Sequence, residues 1–194
     1  MKTTLTAGLL ISAALWVVAA PALSATKVSK LESFNIKSEP APADWRFFLK
    51  APEASRESLW AHHAKLGHHL REWSWGWRLG WVRTCAKSAR VYCNDVLKEA
   101  LFDRAAVVRG EAAARIGTRY EGTKRPDVTA LLLDAGKLPG NYRNRTPLYV
   151  MQRILFALSQ VGGETALSGA ATLANAHPTT KKYWSHVVRA QATE

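Results

Sequence analysis

Residues 105–117 read AAVVRGEAAARIG, and residues 147–159 read PLYVMQRILFALS. Laid over one another at an offset of 42, they match Val108 to Val150, Ile116 to Leu158 and Gly117 to Ser159. Both stretches carry apolar side chains at the spacing of one helical face. A period near 42 made of helix pairs is the signature of an α-solenoid. The flanking chain agrees. Residues 57–83 give one or two helices. Residues 88–102 give another, with Val91, Val96, Leu97, Ala100 and Leu101 as its apolar face. Pro126, at a first-turn position, opens a helix through Val128 and Leu131–Leu133, which Gly136 and Gly140 end. Thr146-Pro147 reads as a cap followed by Pro at the first helical position, opening 147–161. Gly162-Gly163 stops that helix. Residues 164–176 and 179–191 give the last two, divided by His177-Pro178.

The motif around the first copy is more specific. It runs Ala100-Leu101-Phe102-Asp103, then Val108-Arg109, Glu111-Ala112-Ala113 and Ile116-Gly117. This pattern resembles a HEAT repeat. In that family an acidic residue ends the first helix and an Arg six residues later lies in the second, which is the spacing of Asp103 and Arg109. Residues 157–167 resemble the hinge between successive HEAT repeats. A third, weaker copy places Asn175 and Lys181 at the Asp and Arg positions. The resemblance covers residues 88–191 and implies an all-α fold: a short right-handed α-solenoid of helical hairpins, capped at its N-terminal side by a Trp- and His-rich helical segment. It also implies a structural tie between Asp103 and Arg109 across the inter-helix turn. Residues 134–145 interrupt the pattern as an insertion between two helices.

The N-terminus carries a different signal. Lys2 precedes an uncharged apolar run from Leu5 to Ala20, followed by Pro21-Ala22-Leu23-Ser24-Ala25. Residues 1–25 read as a secretory signal cleaved after Ser24 or Ala25. The run is short for a bilayer span, and no Cys adjoins it for lipid attachment. Export to the periplasm or beyond is the expectation, with no transmembrane segment after cleavage. Residues 26–56 hold Pro40, Pro42 and Pro52 and read as an extended leader, with a short helix near Trp45–Leu49. Residues 57–194 form the single helical-repeat domain.

The chain has 194 residues, 47% of them apolar, enough to bury a core. Net charge is +12, and loss of Lys2 with the signal leaves +11. Residues 104–194 carry 13 Lys and Arg against 6 Asp and Glu. No acid occurs between Asp134 and Glu164, whereas Lys137, Arg143, Arg145 and Arg153 do. An electropositive loop of this kind fits an anionic partner: an acidic protein face, lipid headgroups or an anionic wall polymer. Solvation of a soluble surface is the plainer reading of the same charges.

Four histidines fall within eight residues: His62, His63, His68 and His69. On one helix His62 and His69 lie about 10 Å apart, and His63 and His68 diverge. No pair has the i, i+4 spacing that chelates a metal, so no metal and no cofactor is expected. Trp73, Trp77 and Trp81 fall at i, i+4, i+8, continued back through Leu70 and Leu66, as a core stripe. Trp75 faces away and is the candidate for an exposed contact. The Trp-Ser-Trp-Gly-Trp alternation also allows a short strand. Cys85 and Cys93 would be about 12 Å apart on one helix, too far to bridge. A turn near Lys87-Ser88 would let them staple a helical hairpin in an oxidising compartment; buried free thiols are the alternative.

No nucleophile elbow, phosphate-binding loop, H-E-x-x-H or dinucleotide fingerprint occurs. No catalytic residue is therefore assigned. The expected function is a non-catalytic binding or scaffold module for another protein or an anionic envelope component, with Trp75, Lys137, Arg143, Arg145 and Arg153 as binding candidates. Asp103, Arg109, Cys85 and Cys93 are the structural candidates. Nucleic-acid binding by a basic HEAT-like face is the first alternative, and export argues against it. A wall-directed enzyme or accessory factor using the Trp and His segment is the second.

Overall fold

The computed structural model describes residues 30–86 and 88–192. The signal-peptide expectation for residues 1–25 lies outside them. The protein is all-α. Its main helices are α1 (Pro42–Lys50), α2 (Glu53–Lys65), α3 (Trp75–Thr84), α4 (Tyr92–Leu101), α5 (Ala106–Arg119), α6 (Pro126–Gly136), α7 (Tyr149–Val161), α8 (Glu164–Asn175) and α9 (Pro178–Gln191). Among the described residues, strand occurs only as two two-residue pieces, β1 (Tyr142–Arg143) and β2 (Thr146–Pro147). No described helix is long and apolar enough to cross a membrane.

The helices pack in two layers. α3, α5, α7 and α9 lie side by side in one; α4, α6 and α8 follow one another in the second. Consecutive helices also pack as pairs, α4 on α5, α6 on α7 and α8 on α9. The most extensive packing is α5 on α7, and glycine permits it. A Cβ at Gly117 would lie 2.9 Å from the Ala157 Cα, and one at Gly110 would lie 2.8 Å from the Tyr149 ring. α7 buries Val150, Ile154, Leu155, Leu158 and Val161 completely. Each such side chain contributes about 1.5–3 kcal/mol relative to exposure.

Residues 30–56 are not simply extended. The expected short helix is α1, longer than its sequence signal, and Leu31 and Phe48 enter the core. Burial of aromatic area outweighs the Pro-rich flanks, because Pro42 falls at the helix start, where it needs no N–H partner. Phe48 meets Trp77 and Trp81 edge-on at 5.7 and 4.9 Å, and Trp60 meets Trp81 at 5.3 Å. Trp73, Trp77 and Trp81 are all buried, as the stripe predicts. Trp73 precedes the helix, however, and Leu66 is 56% exposed. The strand reading of this segment is wrong.

Of the one or two helices expected over residues 57–83 there are two: Gly67, at φ +69°, turns the chain between α2 and α3, and a 3-10 turn follows at Leu70–Glu72. Two further expectations change. Thr146-Pro147 does not start a helix but forms β2, and α7 begins at Tyr149. Asn175 and Lys181 are both exposed, so the third copy carries no buried tie. Cys85 and Cys93 do form a disulfide, across the gap between α3 and α4. The helix ends at Thr84, which supplies the turn that a bridge requires.

Candidate functional site

The acid-free segment joins α6 to α7 and is built as a hairpin. Arg143 pairs with Thr146 across β1 and β2, leaving Asn144 and Arg145 as the two turn residues. Their φ values are +51° and +64°. Two left-handed residues make the type I′ turn that suits the right-handed twist of a hairpin. Asn accepts this conformation readily. The second position favours Gly, and here holds Arg145, at a strain of about 1–2 kcal/mol for a residue with a Cβ. Arg143 and Arg145 are both exposed.

The base of the hairpin is held by two buried polar residues. Asn141 is fully buried; its Nδ2 donates to the Ala135 carbonyl at 2.8 Å, and its own carbonyl accepts from the Leu148 N–H at 2.8 Å. Arg109, on α5, donates from Nε to Asn141 Oδ1 at 3.0 Å and from Nη2 to the Gly140 carbonyl at 2.5 Å. Its Nη1 donates to the carbonyls of Asp103 and Arg104 at 2.6 and 3.1 Å. One guanidinium therefore joins the turn after α4 to the root of the hairpin. Burial pulls its pKa below the usual guanidinium range, and the negative character of Asp103 and Tyr149 opposes that shift.

The expected tie between Asp103 and Arg109 exists, but through the Asp103 backbone carbonyl. The Asp103 carboxylate belongs to Arg78: Nε to Oδ2 at 2.5 Å and Nη2 to Oδ1 at 3.0 Å. Arg78 also donates to the Trp73 carbonyl, and Asp103 Oδ1 accepts the Ala105 N–H at 2.7 Å. Arg78 is 1% exposed. Sequence reasoning missed both Arg78 and Asn141. The signal for Arg78 was its lone charge inside the apolar run from Trp73 to Val82, since a buried charge needs a partner. Asn141 gave no signal beyond a loop composition.

The other candidates divide. Arg153 is exposed on α7, one turn beyond Tyr149, whose hydroxyl donates to the Ala106 carbonyl at 3.2 Å. Burial raises the pKa of Tyr149 and of Tyr183, and the nearby Arg153 charge opposes both shifts. Among the described residues, Arg143, Arg145 and Arg153 make no ion pair, whereas Lys137 pairs with Asp134 at 3.0 Å. Trp75 is 47% exposed, as its phase predicts, but it opens α3 and stands apart from the basic set. No group of three or more His, Cys, Asp or Glu converges among the described residues. The arrangement offers an exposed cationic turn whose root is tied down by hydrogen bonds from Arg109 and Asn141, suited to holding anionic groups. No protein-family model, curated protein or solved structure matches the chain.

Proposed function

We propose that this chain is an exported, non-catalytic binding module that holds an anionic partner against the hairpin between α6 and α7. The observation that carries the proposal is the mounting of that hairpin. Arg143 and Arg145 project from a turn whose root is fixed by buried Arg109 and Asn141. Cations on a fixed support lose less freedom on binding than cations on a free loop. The alternate stacking of α3, α5, α7 and α9 supports reading the domain as a short right-handed HEAT-like α-solenoid, in which insertions between helices reach a partner. Export to the periplasm or the medium belongs to this reading through residues 1–25. The partner is an acidic protein face or an anionic envelope component.

The test is affinity capture from envelope extract, with the mature wild-type protein and Arg143→Glu/Arg145→Glu as paired baits. The double reversal changes local charge by four units and leaves stability nearly unchanged, because exposed charges contribute little. Binding to the captured partner falls, chiefly through slower association, and falls less at moderate salt. Equal capture by both baits refutes the placement and moves the binding face to the surface around Trp75. Intact mass of the envelope form, lacking 24 or 25 residues, tests export.

A further inference from the structure

The Leu70–Glu72 turn, the end of α4 and the chain that follows it surround a cavity of about 640 Å³. That volume falls within the ~300–1,000 Å³ of small-molecule sites. Its apolar lining is the buried Leu70 and the exposed Phe102. Asp103 also lines it, but its carboxylate is taken up by Arg78 and the Ala105 N–H. Three other charged side chains line the cavity: Arg71, Arg104 and Glu99. All three are exposed, and among the described residues none of them makes an ion pair. Glu99 Oε2 accepts the Leu70 N–H at 3.1 Å, which holds that carboxylate on the cavity wall. Opposite charges thus share one cavity without neutralising one another.

The helix poles sharpen the pattern. Glu99 lies in the last turn of α4, at the negative end of that helix, and Arg104 lies two residues before α5, at its positive end. Lys98, the other charge in that last turn, lines a different cavity. Glu99 and Arg104 each sit beside the pole of their own sign. That placement weakens a helix and strengthens the pull on a ligand charge of opposite sign. We propose that this cavity binds a zwitterion with an apolar body: an apolar α-amino acid or a short peptide of such residues. The ligand carboxylate meets Arg71 and Arg104, its ammonium meets Glu99, and its side chain covers Phe102 and Leu70. Guanidinium suits a carboxylate through its paired N–H donors. A ligand with a carboxylate alone leaves Glu99 without a counter-charge, and one with an ammonium alone faces two guanidiniums. The site uses none of the hairpin cations and does not rest on the anionic-partner reading.

The test is calorimetric titration of the purified chain with L-phenylalanine and with L-leucyl-L-phenylalanine. One saturable equivalent is expected, and the tighter of the two tells a free amino acid from a peptide. The N-acetylated and C-amidated forms of that ligand, each missing one charge, bind about tenfold or more weakly, the loss of one charge-assisted hydrogen bond. Arg71→Gln and Arg104→Gln weaken binding of the zwitterion but not of the amidated form. Glu99→Gln, whose side-chain carbonyl still accepts the Leu70 N–H, weakens binding of the zwitterion but not of the acetylated form. All three variants keep the wild-type circular dichroism spectrum, because the replaced charges are exposed. Arg143→Glu/Arg145→Glu leaves binding unchanged. The absence of saturable binding by either zwitterion, equal affinity for the blocked forms, unchanged affinity in both arginine variants, or loss of binding in the hairpin variant would overturn the proposal.

Discussion

Arg109→Met removes the group that mounts the hairpin while keeping a stem of similar length. The guanidinium donates four hydrogen bonds, to Asp103, Arg104 and Gly140 carbonyls and to Asn141 Oδ1. A hydrogen bond from a charged donor contributes about 1.5–3 kcal/mol. Four such bonds do not add, because removing Arg109 also removes the cost of burying its charge. The balance is a loss of about 3–5 kcal/mol, because up to four buried neutral acceptors lose their donor at about 1–3 kcal/mol each. For a domain of this size that lowers Tm by about 6–20 °C. Arg109→Lys recovers only part of it, since an ammonium cannot span the four acceptors that the planar fork reaches. Thermal unfolding followed by circular dichroism measures the first effect. Hydrogen exchange measures the second: the Leu148 amide, bonded to the Asn141 carbonyl, loses protection before the helix interiors do. An Arg109→Met protein within about 1 kcal/mol of wild type, with the Leu148 amide still protected, would refute the claim that this residue fixes the hairpin.

Leu158→Asp places an unpaired carboxylate at a fully buried position on α7, so it costs several kcal/mol or blocks folding; soluble yield and chemical denaturation check it. Reducing the Cys85–Cys93 bridge releases a short loop with a sequence separation of 8, a loss of about 2–3 kcal/mol by loop-closure entropy, read as a lower denaturation midpoint in reductant. Both sulfurs are fully buried, so reduction under native conditions is slow. Arg145→Gly relieves the left-handed strain at the hairpin tip and raises stability by up to about 1 kcal/mol, while weakening capture of the anionic partner; loss of stability in denaturant titration would contradict the turn assignment.

The helices from α4 onward were legible in the sequence because each is a local event. Apolar residues at helical spacing, Pro126 at a start and Gly162-Gly163 at a stop act within a turn or two of themselves, and the structure keeps them within a few residues. The exposure of Trp75 was legible for the same reason. What the sequence left open depended on side chains distant along the chain. Asp103 has Arg109 at the expected spacing, yet its carboxylate pairs with Arg78, 25 residues earlier, which no local pattern connects to it. Asn141 became a buried pin only because α5 brings Arg109 beside it. Cys85 and Cys93 were bridgeable only once the helix between them ended. His63 and His68 diverge on one continuous helix and meet only because Gly67, in the left-handed conformation, ends the helix between them. The sequence by itself determined which segments are helical and where the charge collects, since propensity, patterning and caps are short-range. Only the tertiary structure decided which polar groups meet, because a buried guanidinium or amide takes whichever partners packing brings within hydrogen-bond reach.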